Sequence, residues 1–327
     1  MNDSRYRIES ASLDDNWIRF IESSNTATIY SHSEFLRATE CRLGLYWIYR
    51  GGERRGLIYV NESEDGKHVP AEDSIVYSGV VIGSPTTGQQ RSQRVSEAFE
   101  LNSCAAQFLE KRYSRLQLDL PPSISDIRPF IWHNYNNDAR KYCVEVRYTA
   151  NWDISSFAEV SDDKESNAYA ETSGSRRQQI RYATRQEIRT EESNDVDILQ
   201  KLYIQTMERQ GLLADQSYLE KMSSIAQGLL KCGKAILFCS YLSDGTIASA
   251  GLFGFSNNRH AVYLYGGNNP SSRSSAAGSS LLWEAGKSLS KLGYEAIDLE
   301  GANSPKRGWF KTSFGARLEC YYRIILK

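Results

Sequence analysis

Apolar and polar positions alternate in two pairs of short segments, and a turn-forming sequence separates the members of each pair. Residues 45–49 and 56–60 flank a Gly-Gly turn, and residues 235–241 and 247–254 flank the turn Ser243-Asp244-Gly245-Thr246. Runs of aromatic and β-branched residues on both sides of a glycine-containing turn are typical of β-hairpins. The pattern therefore predicts one hairpin in each half of the chain.

The same order of elements follows each hairpin: a glycine-containing strand, a helix and an aspartate-containing strand. Such a repeat predicts two mixed α/β domains in tandem, each with a twisted mixed sheet flanked by helices. We expect the first domain to span residues 1–155 and the second to span residues 156–327, and the pattern leaves open whether the last strand packs back on the first domain. The predicted elements are strand 74–83, helix 93–111 and strand 115–120 in the first half, and strand 261–266, a helix from Ser279 to about Leu292 and strand 295–300 in the second.

A loop of small residues, 267–278, joins the predicted strand 261–266 to the following helix. Backbone N–H groups at such a helix start can converge on an anion, and small side chains let a phosphate approach closely. The loop contains neither the Gly-Lys-Ser/Thr of a P-loop nor a G-x-G-x-x-G. An ordinary loop that caps a helix is the alternative. The corresponding segment 84–90 has no run of small residues, so the first domain is predicted to be degenerate, with an acceptor-side or structural role.

Arginines recur at intervals of four in a highly charged segment, at Arg177, Arg181, Arg185 and Arg189. This spacing predicts one stripe along a helix. The stripe would face a nucleotide, a phosphate or tRNA, or it would be a solvated surface paired with nearby glutamates. The sequence leaves both interpretations open.

Bulk composition restricts the partners. The formal net charge of −1 argues against a strongly electrostatic nucleic-acid binder. The six cysteines and four histidines are dispersed and form no C-x-x-C pair, so no metal site is predicted. The first residues lack the apolar region of a signal peptide, and no apolar run approaches the length of a membrane span. We therefore expect a soluble, cytoplasmic protein.

The C-terminal motif resembles a known family. Residues 298–301, 308–311 and 314–316, with the arginine-rich helix 176–189 and the helix start 278–283, are similar to the tandem-GNAT FemABX or FemAB-like acyltransferases of the GNAT superfamily, including cellulose-biosynthesis-type acetyltransferases. The resemblance covers residues 175–327 well and the first half thinly. The acyl-CoA loop of GNAT enzymes, (Arg/Gln)-x-x-Gly-x-(Gly/Ala), corresponds to Arg273-Ser-Ser-Ala276-Ala-Gly278, with alanine in place of the first glycine.

The resemblance implies a reaction and its donors. Members of the family transfer an acyl or aminoacyl group to an amine, from acyl-CoA or aminoacyl-tRNA, and the acceptor is often a nucleotide-linked or lipid-linked cell-wall or polysaccharide precursor. No metal is involved. The family lysine of the Phe-Lys motif corresponds to Lys311, with a role in donor handling and catalysis. The resemblance assigns acyl-CoA binding to the loop residues Arg273, Ala276, Ala277, Gly278 and Ser279.

Acyl transfer to an amine needs a proton acceptor, a polarised carbonyl and an anchored donor. Asp298 or Glu300, which share one strand face by the period-two rule, are candidates to accept the amine proton. Tyr265, on one face with Tyr263, is a candidate to protonate the leaving group. A carboxylate that caps a loop and tyrosines that only pack are the structural alternatives. The candidate substrate-binding residues are Arg181, Arg185, Arg209, Lys306 and Arg307.

The sequence thus predicts an acyltransferase that moves an acyl group directly from acyl-CoA to an amine of an amino sugar or an amino-acid-bearing cell-envelope or polysaccharide precursor. One alternative keeps the fold and changes the donor to aminoacyl-tRNA. Another is a GNAT-derived binding module without catalysis, favoured by Ala276 and by the lack of a clear base. The three remain open at this stage.

Overall fold

The computed structural model describes residues 5–327, apart from the side chain of Arg273. The chain forms two compact units: the residues up to Arg147 together with Cys320–Lys327, and the residues Tyr148–Glu319. Both units are mixed α/β structures, which confirms the predicted fold class.

The first unit contains a small four-stranded sheet. Strands β1, β2, β3 and β5 form an antiparallel sheet in that order, and β2 and β3 are the predicted hairpin. The predicted strand 74–83 is reduced to β5. The elements are β1 (Tyr6–Ser10), α1 (Asp15–Ser23), α2 (Ser33–Ala38), β2 (Leu43–Arg50), β3 (Glu53–Asn61), β4 (His68–Val69), β5 (Gly79–Ile82), α3 (Arg91–Arg112), β6 (Arg115–Leu120), α4 (Arg128–Ile131) and the start of β7 (Tyr142–Asp153).

Helix α3 carries much of the first unit's core. Its residues Leu101, Ala105 and Leu109 are fully buried against the strands. An ion pair also holds the helix, because Arg55 of β3 donates two hydrogen bonds of 2.7 and 2.9 Å to the Glu97 carboxylate. These bonds lower the pKa of Glu97. A buried, bidentate pair of this kind fixes the position of a helix on its sheet.

The second unit contains the rest of the chain. Its sheet has the order β7-β12-β11-β10-β9-β8, in which β11 and β12 are parallel and the other neighbouring pairs are antiparallel. Strand β13 begins in the second unit, but its residues from Cys320 onward belong to the first unit, where residues 322–326 pair antiparallel with β6. The elements are α5 (Asn167–Glu171), α6 (Gly174–Arg185), β8 (Arg189–Ser193), α7 (Val196–Arg209), α8 (Gln216–Lys231), β9 (Ala235–Tyr241), β10 (Ile247–Phe255), β11 (His260–Asn268), α9 (Ala277–Lys291), β12 (Ala296–Gly301), α10 (Pro305–Thr312) and β13 (Arg317–Leu326).

An aromatic core lies around α9. The rings of Trp152, Phe157 and Phe314 are within 6 Å of Trp283 or of each other. Gly286 of α9 allows this packing, since a Cβ there would lie 2.8 Å from the Trp152 ring. Helix α9 is therefore rigidly seated, which matters because its first turn forms part of the candidate site.

The predicted four-arginine stripe is wrong at its last member. Helix α6 ends at Arg185, and Glu187 follows with a φ of +55°, which an α-helix cannot accommodate. Arg189 lies instead on β8, opposite Tyr241 of β9. The interval of four continues in the sequence, but the helix does not.

Candidate active site

Two parallel strands separate at the centre of the second unit. Residues His260–Val262 of β11 pair with Ala296–Asp298 of β12. Beyond these three positions β11 continues to Asn268 along β10, and β12 continues to Gly301, which pairs with Thr149 of β7. The strand ends thus diverge.

A bulge re-aims the end of β12. The pairing register with β7 shifts between Asp298 and Gly301, and Glu300 has a φ of +61°. The Asp298 carboxylate accepts a 2.7 Å hydrogen bond from the Glu300 backbone N–H and another from the Thr149 hydroxyl. The prediction that Asp298 and Glu300 share one face by simple alternation is therefore wrong, because a bulge breaks the period of two. Asp298 holds the bulge in place.

A second bulge separates the two tyrosines of β11. Tyr265 pairs with Leu252 and Tyr263 pairs with Phe253. Consecutive residues of β10 point to opposite faces of the sheet, so their two partners do so as well. The shared face predicted for Tyr263 and Tyr265 is wrong for the same reason as in β12. Tyr263 packs on the core beneath α9, and Tyr265 is 6% exposed.

Lys311 lies on α10 and points to the end of β12. Its Nζ donates a 2.9 Å hydrogen bond to the carbonyl oxygen of Gly301. Burial lowers the pKa of Lys311, the carboxylates of Glu300 and Asp298 raise it, and the Arg307 guanidinium lowers it further. The structure thus brings four of the predicted residues together: Lys311, Glu300, Asp298 and Arg307.

Two tyrosines that the sequence analysis did not select lie near this group. The rings of Tyr203 on α7 and Tyr218 on α8 are stacked, with centroids 5.9 Å apart. Burial raises the pKa of Tyr218 strongly, and Tyr265, Tyr203 and Glu300 raise it further. Tyr203 follows Leu202 on α7, whose buried positions, Val196, Leu199 and Leu202, are all aliphatic. That contrast was the available signal for a polar group directed inward.

The first turn of α9 has an unusual start. Its N-cap, Ala276, has a φ of +61° and a ψ of 21°, and no side chain caps the helix there. The backbone N–H of Ala277 reaches the Ser275 hydroxyl at 3.3 Å. Gly278 packs against a neighbouring strand, since a Cβ there would lie 2.5 Å from the Asn268 Oδ1. The predicted loop residues Ala276, Ala277, Gly278 and Ser279 therefore surround a helix N-terminus whose N-cap side chain accepts no hydrogen bond, and the helix dipole favours an anion there.

A buried arginine adjoins this turn. Arg176 of α6 is 3% exposed and donates from Nη1 to the Ser279 hydroxyl and from Nε to the Ser313 hydroxyl at 3.0 Å. Its guanidinium lies 4.4 and 4.6 Å from the ring centroids of Phe310 and Phe314. Burial lowers the pKa of Arg176 to about 10. The sequence analysis included Arg176 only as part of an arginine-rich helix, because arginines are mostly exposed.

The remaining predicted residues lie apart from this group or outside the described atoms. Arg181 and Arg185 are exposed on α6, and the Arg181 guanidinium bonds the Tyr169 hydroxyl at 2.8 Å. Arg209 is exposed in the last turn of α7, and Lys306 is exposed in the first turn of α10. The side chain of Arg273 lies outside the described residues.

The described residues 5–327 contain no group of three or more His, Cys, Asp or Glu side chains placed to hold a metal ion. None of their helices combines the length and the apolar character that crossing a bilayer requires.

Comparisons with known proteins identify a GNAT-like sequence in the second unit. Residues 173–310 match the family described as Acetyltransferase (GNAT) domain. No curated protein matches the chain significantly.

Solved structures match over nearly the full length. The crystal structure of FemX is 14% identical, with a TM-score of 0.63 and coverage of 97% of this chain and 96% of that one. The C-terminal domain of a putative lysylphosphatidylglycerol synthetase from Agrobacterium fabrum is 11% identical, with a TM-score of 0.52 and coverages of 95% and 92%. A tandem GNAT protein from the clavulanic acid biosynthesis pathway is 10% identical, with a TM-score of 0.51 and coverages of 98%. The chain therefore has the tandem GNAT fold, and its residues 173–310 match a GNAT acetyltransferase domain.

Proposed function

We propose that the second unit binds acyl-CoA and transfers its acyl group to an amine. The observation that carries the proposal is the N-terminus of α9, which lies just after β11, beyond the point where β11 and β12 have separated. The helix dipole favours the donor's phosphates at this turn, and its small side chains let a phosphate approach the backbone. The gap between the strand ends is where the thioester would enter.

The residues around the gap suit direct transfer. The amine nitrogen attacks the thioester carbonyl carbon, the C–N bond forms, and the C–S bond breaks with release of the CoA thiolate. Glu300 takes the proton that the amine loses, and Tyr265 gives the proton that the thiolate gains. The Lys311 ammonium, held at the Gly301 carbonyl, faces the negative charge that develops on the carbonyl oxygen.

We propose an amino sugar or an amino-acid amine on a cell-envelope or polysaccharide precursor as the acceptor, and the cytoplasm as the place of reaction. Two proteins whose structures share this fold, FemX and a putative lysylphosphatidylglycerol synthetase, support the cell-envelope part. In this arrangement the first unit, whose loop before α3 lacks a run of small residues, serves the acceptor or the fold.

A second candidate donor is aminoacyl-tRNA. It is favoured by the exposed arginines of α6, Arg181 and Arg185, which offer positive charge to a nucleic acid backbone. The transfer chemistry would be the same, with the ester oxygen of the tRNA leaving in place of the thiolate.

Calorimetric titration with acetyl-CoA, CoA and an aminoacyl-tRNA separates these proposals. Saturable binding of both CoA compounds, with weak dependence on salt, is expected for the first. Binding of the tRNA alone, with an affinity that falls steeply as salt rises, would replace it with the second. Binding of none of the three would leave a non-catalytic module.

A further inference from the structure

Arg176 connects three elements of the second unit. Its backbone belongs to α6, its Nη1 bonds Gln179 Oε1 of the same helix at 2.5 Å and Ser279 in the first turn of α9, and its Nε bonds Ser313 just after α10. The Ser279 hydroxyl in turn donates to Gln179 Oε1 at 2.8 Å. One planar side chain therefore joins the start of α9 to the end of α10.

The charge of Arg176 has no acidic partner among the described residues. Burial alone accounts for its lowered pKa, and no carboxylate contributes. Its hydrogen-bond partners are neutral, and the faces of Phe310 and Phe314 lie against it. A buried arginine that only anchored the fold would normally have a carboxylate, because a buried charge without one is costly. Its Nη2 forms no hydrogen bond with the part of the chain that the structure describes.

The two elements that Arg176 joins carry the two halves of the proposed chemistry. Helix α9 presents its open first turn to the donor's phosphates, and α10 carries Lys311. The distance between phosphate and thioester is fixed within the donor, so the two helices must keep a fixed relation for the carbonyl to meet Lys311.

We propose that Arg176 is a positioning residue. It keeps the first turn of α9, which binds the donor, in a fixed position relative to α10, which carries Lys311. The inference rests on the proposed function, because it assigns the donor to α9. Its uncompensated charge also adds to the helix dipole at that turn. A lysine could keep the charge but could not make the divergent bonds to Ser279 and Ser313 together.

The test compares Arg176→Gln and Arg176→Lys with the wild-type chain and with Arg317→Gln, a matched change at an exposed arginine of β13. Amide hydrogen exchange is measured with and without CoA, and CoA affinity by calorimetry. Without ligand, Arg176→Gln is expected to speed exchange in residues 277–283 and 305–313 together. With CoA, the wild type is expected to gain protection in both segments, and Arg176→Gln in the first alone, with an affinity reduced about tenfold or more.

Arg176→Lys is expected to recover part of the CoA affinity. CoA is not expected to slow exchange in its residues 305–313 as it does in the wild type. The inference would be overturned if Arg176→Gln speeds exchange only in α6, or if CoA still protects residues 305–313 in Arg176→Gln. If the wild-type chain binds no CoA, the proposed function fails, and the exchange of the ligand-free chains still decides whether Arg176 links the two helices. Circular dichroism of each variant establishes that it is folded.

Discussion

The Nζ of Lys311 and the carbonyl oxygen of Gly301 are 2.9 Å apart, and this bond ties α10 to the last residue of β12. The lysine is thus held where β12 has left β11 and beside the carboxylates of Asp298 and Glu300. A cation fixed in a partly desolvated site acts more strongly on a developing charge than one in water, because little reorganisation is needed.

Removing the Lys311 charge is expected to lower turnover. Lys311→Met keeps the length of the side chain and loses the ammonium, so kcat with acetyl-CoA and an amine acceptor should fall by roughly 100-fold or more. Release of free thiol measures the rate. Lys231→Met, at an exposed position ending α8, is the control. A folded Lys311→Met protein with full turnover would remove Lys311 from the mechanism.

The pH dependence should report the same group. The folded pKa of Lys311 lies below its ordinary value of 10.5, chiefly through burial. If the ammonium is the active form, the rate falls as pH rises through this lowered pKa, and the fall therefore lies below pH 10.5. In Lys311→Arg the fall is expected at higher pH.

The free energy of unfolding is expected to rise with pH over the range in which the rate falls. Between the lowered pKa and 10.5 the unfolded chain binds more protons than the folded one, so the free energy of unfolding contributed by Lys311 rises with pH. Denaturant unfolding of wild type and Lys311→Met at several alkaline pH values measures it. A rate limb that is unchanged in Lys311→Arg would contradict the assignment.

Asp298 is expected to matter first for structure. Its carboxylate accepts from the Glu300 backbone and from Thr149, and it thereby holds the β12 bulge. Asp298→Ala leaves these donors without a partner and should lower the free energy of unfolding by about 1–3 kcal/mol. Asp298→Asn keeps one acceptor oxygen and should lose less. Urea unfolding measures both, and an alanine variant as stable as wild type would contradict the role.

Ala276→Gly is expected to stabilise the protein slightly. Ala276 has a φ of +61°, a left-handed conformation that costs an alanine about 1–2 kcal/mol. Glycine removes that cost but adds about 0.5–1 kcal/mol of backbone entropy to the unfolded chain. The net gain should be about 0–1.5 kcal/mol, measured by thermal or denaturant unfolding. A clear loss of stability would show that the Ala276 methyl group is needed for packing.

Gly278→Ala should have the reverse effect. The new Cβ would lie 2.5 Å from the Asn268 Oδ1, so the first turn of α9 must shift or the Asn268 side chain must leave the Ser249 hydroxyl that donates to it at 2.9 Å. We expect a loss of about 1–3 kcal/mol and weaker CoA binding. Gly174→Ala is the matched control, because nothing lies within 4 Å of its Cβ position. Equal stabilities of the two variants would contradict the close contact.

The sequence predicted the elements around the site better than the orientation of its side chains. The hairpins, the strands 261–266 and 295–300 and the loop before α9 follow from apolar runs and turn residues, which act locally. The orientations of Glu300 and Tyr265 do not, because each depends on a bulge set by pairing with another strand. Likewise, Ala276 stands where the acyl-CoA loop of GNAT enzymes has a glycine, yet its backbone adopts the conformation that glycine favours.

Arg176 shows the same limit for charge. In the sequence it is one arginine among several, and only tertiary packing makes it the buried one beside Ser279. The domain limits 1–155 and 156–327 and the functional roles of the site residues remain predictions.

The proposed function depends most on whether the donor's phosphates meet the first turn of α9. Selective ¹⁵N labelling of glycine, with the Gly278 amide assigned through Gly278→Ala, tests this directly by NMR during titration with CoA. We predict that the Gly278 amide resonance shifts saturably with CoA and little with adenosine, which lacks the phosphates. Saturable CoA binding that leaves Gly278 unchanged while other glycines shift would contradict the central claim.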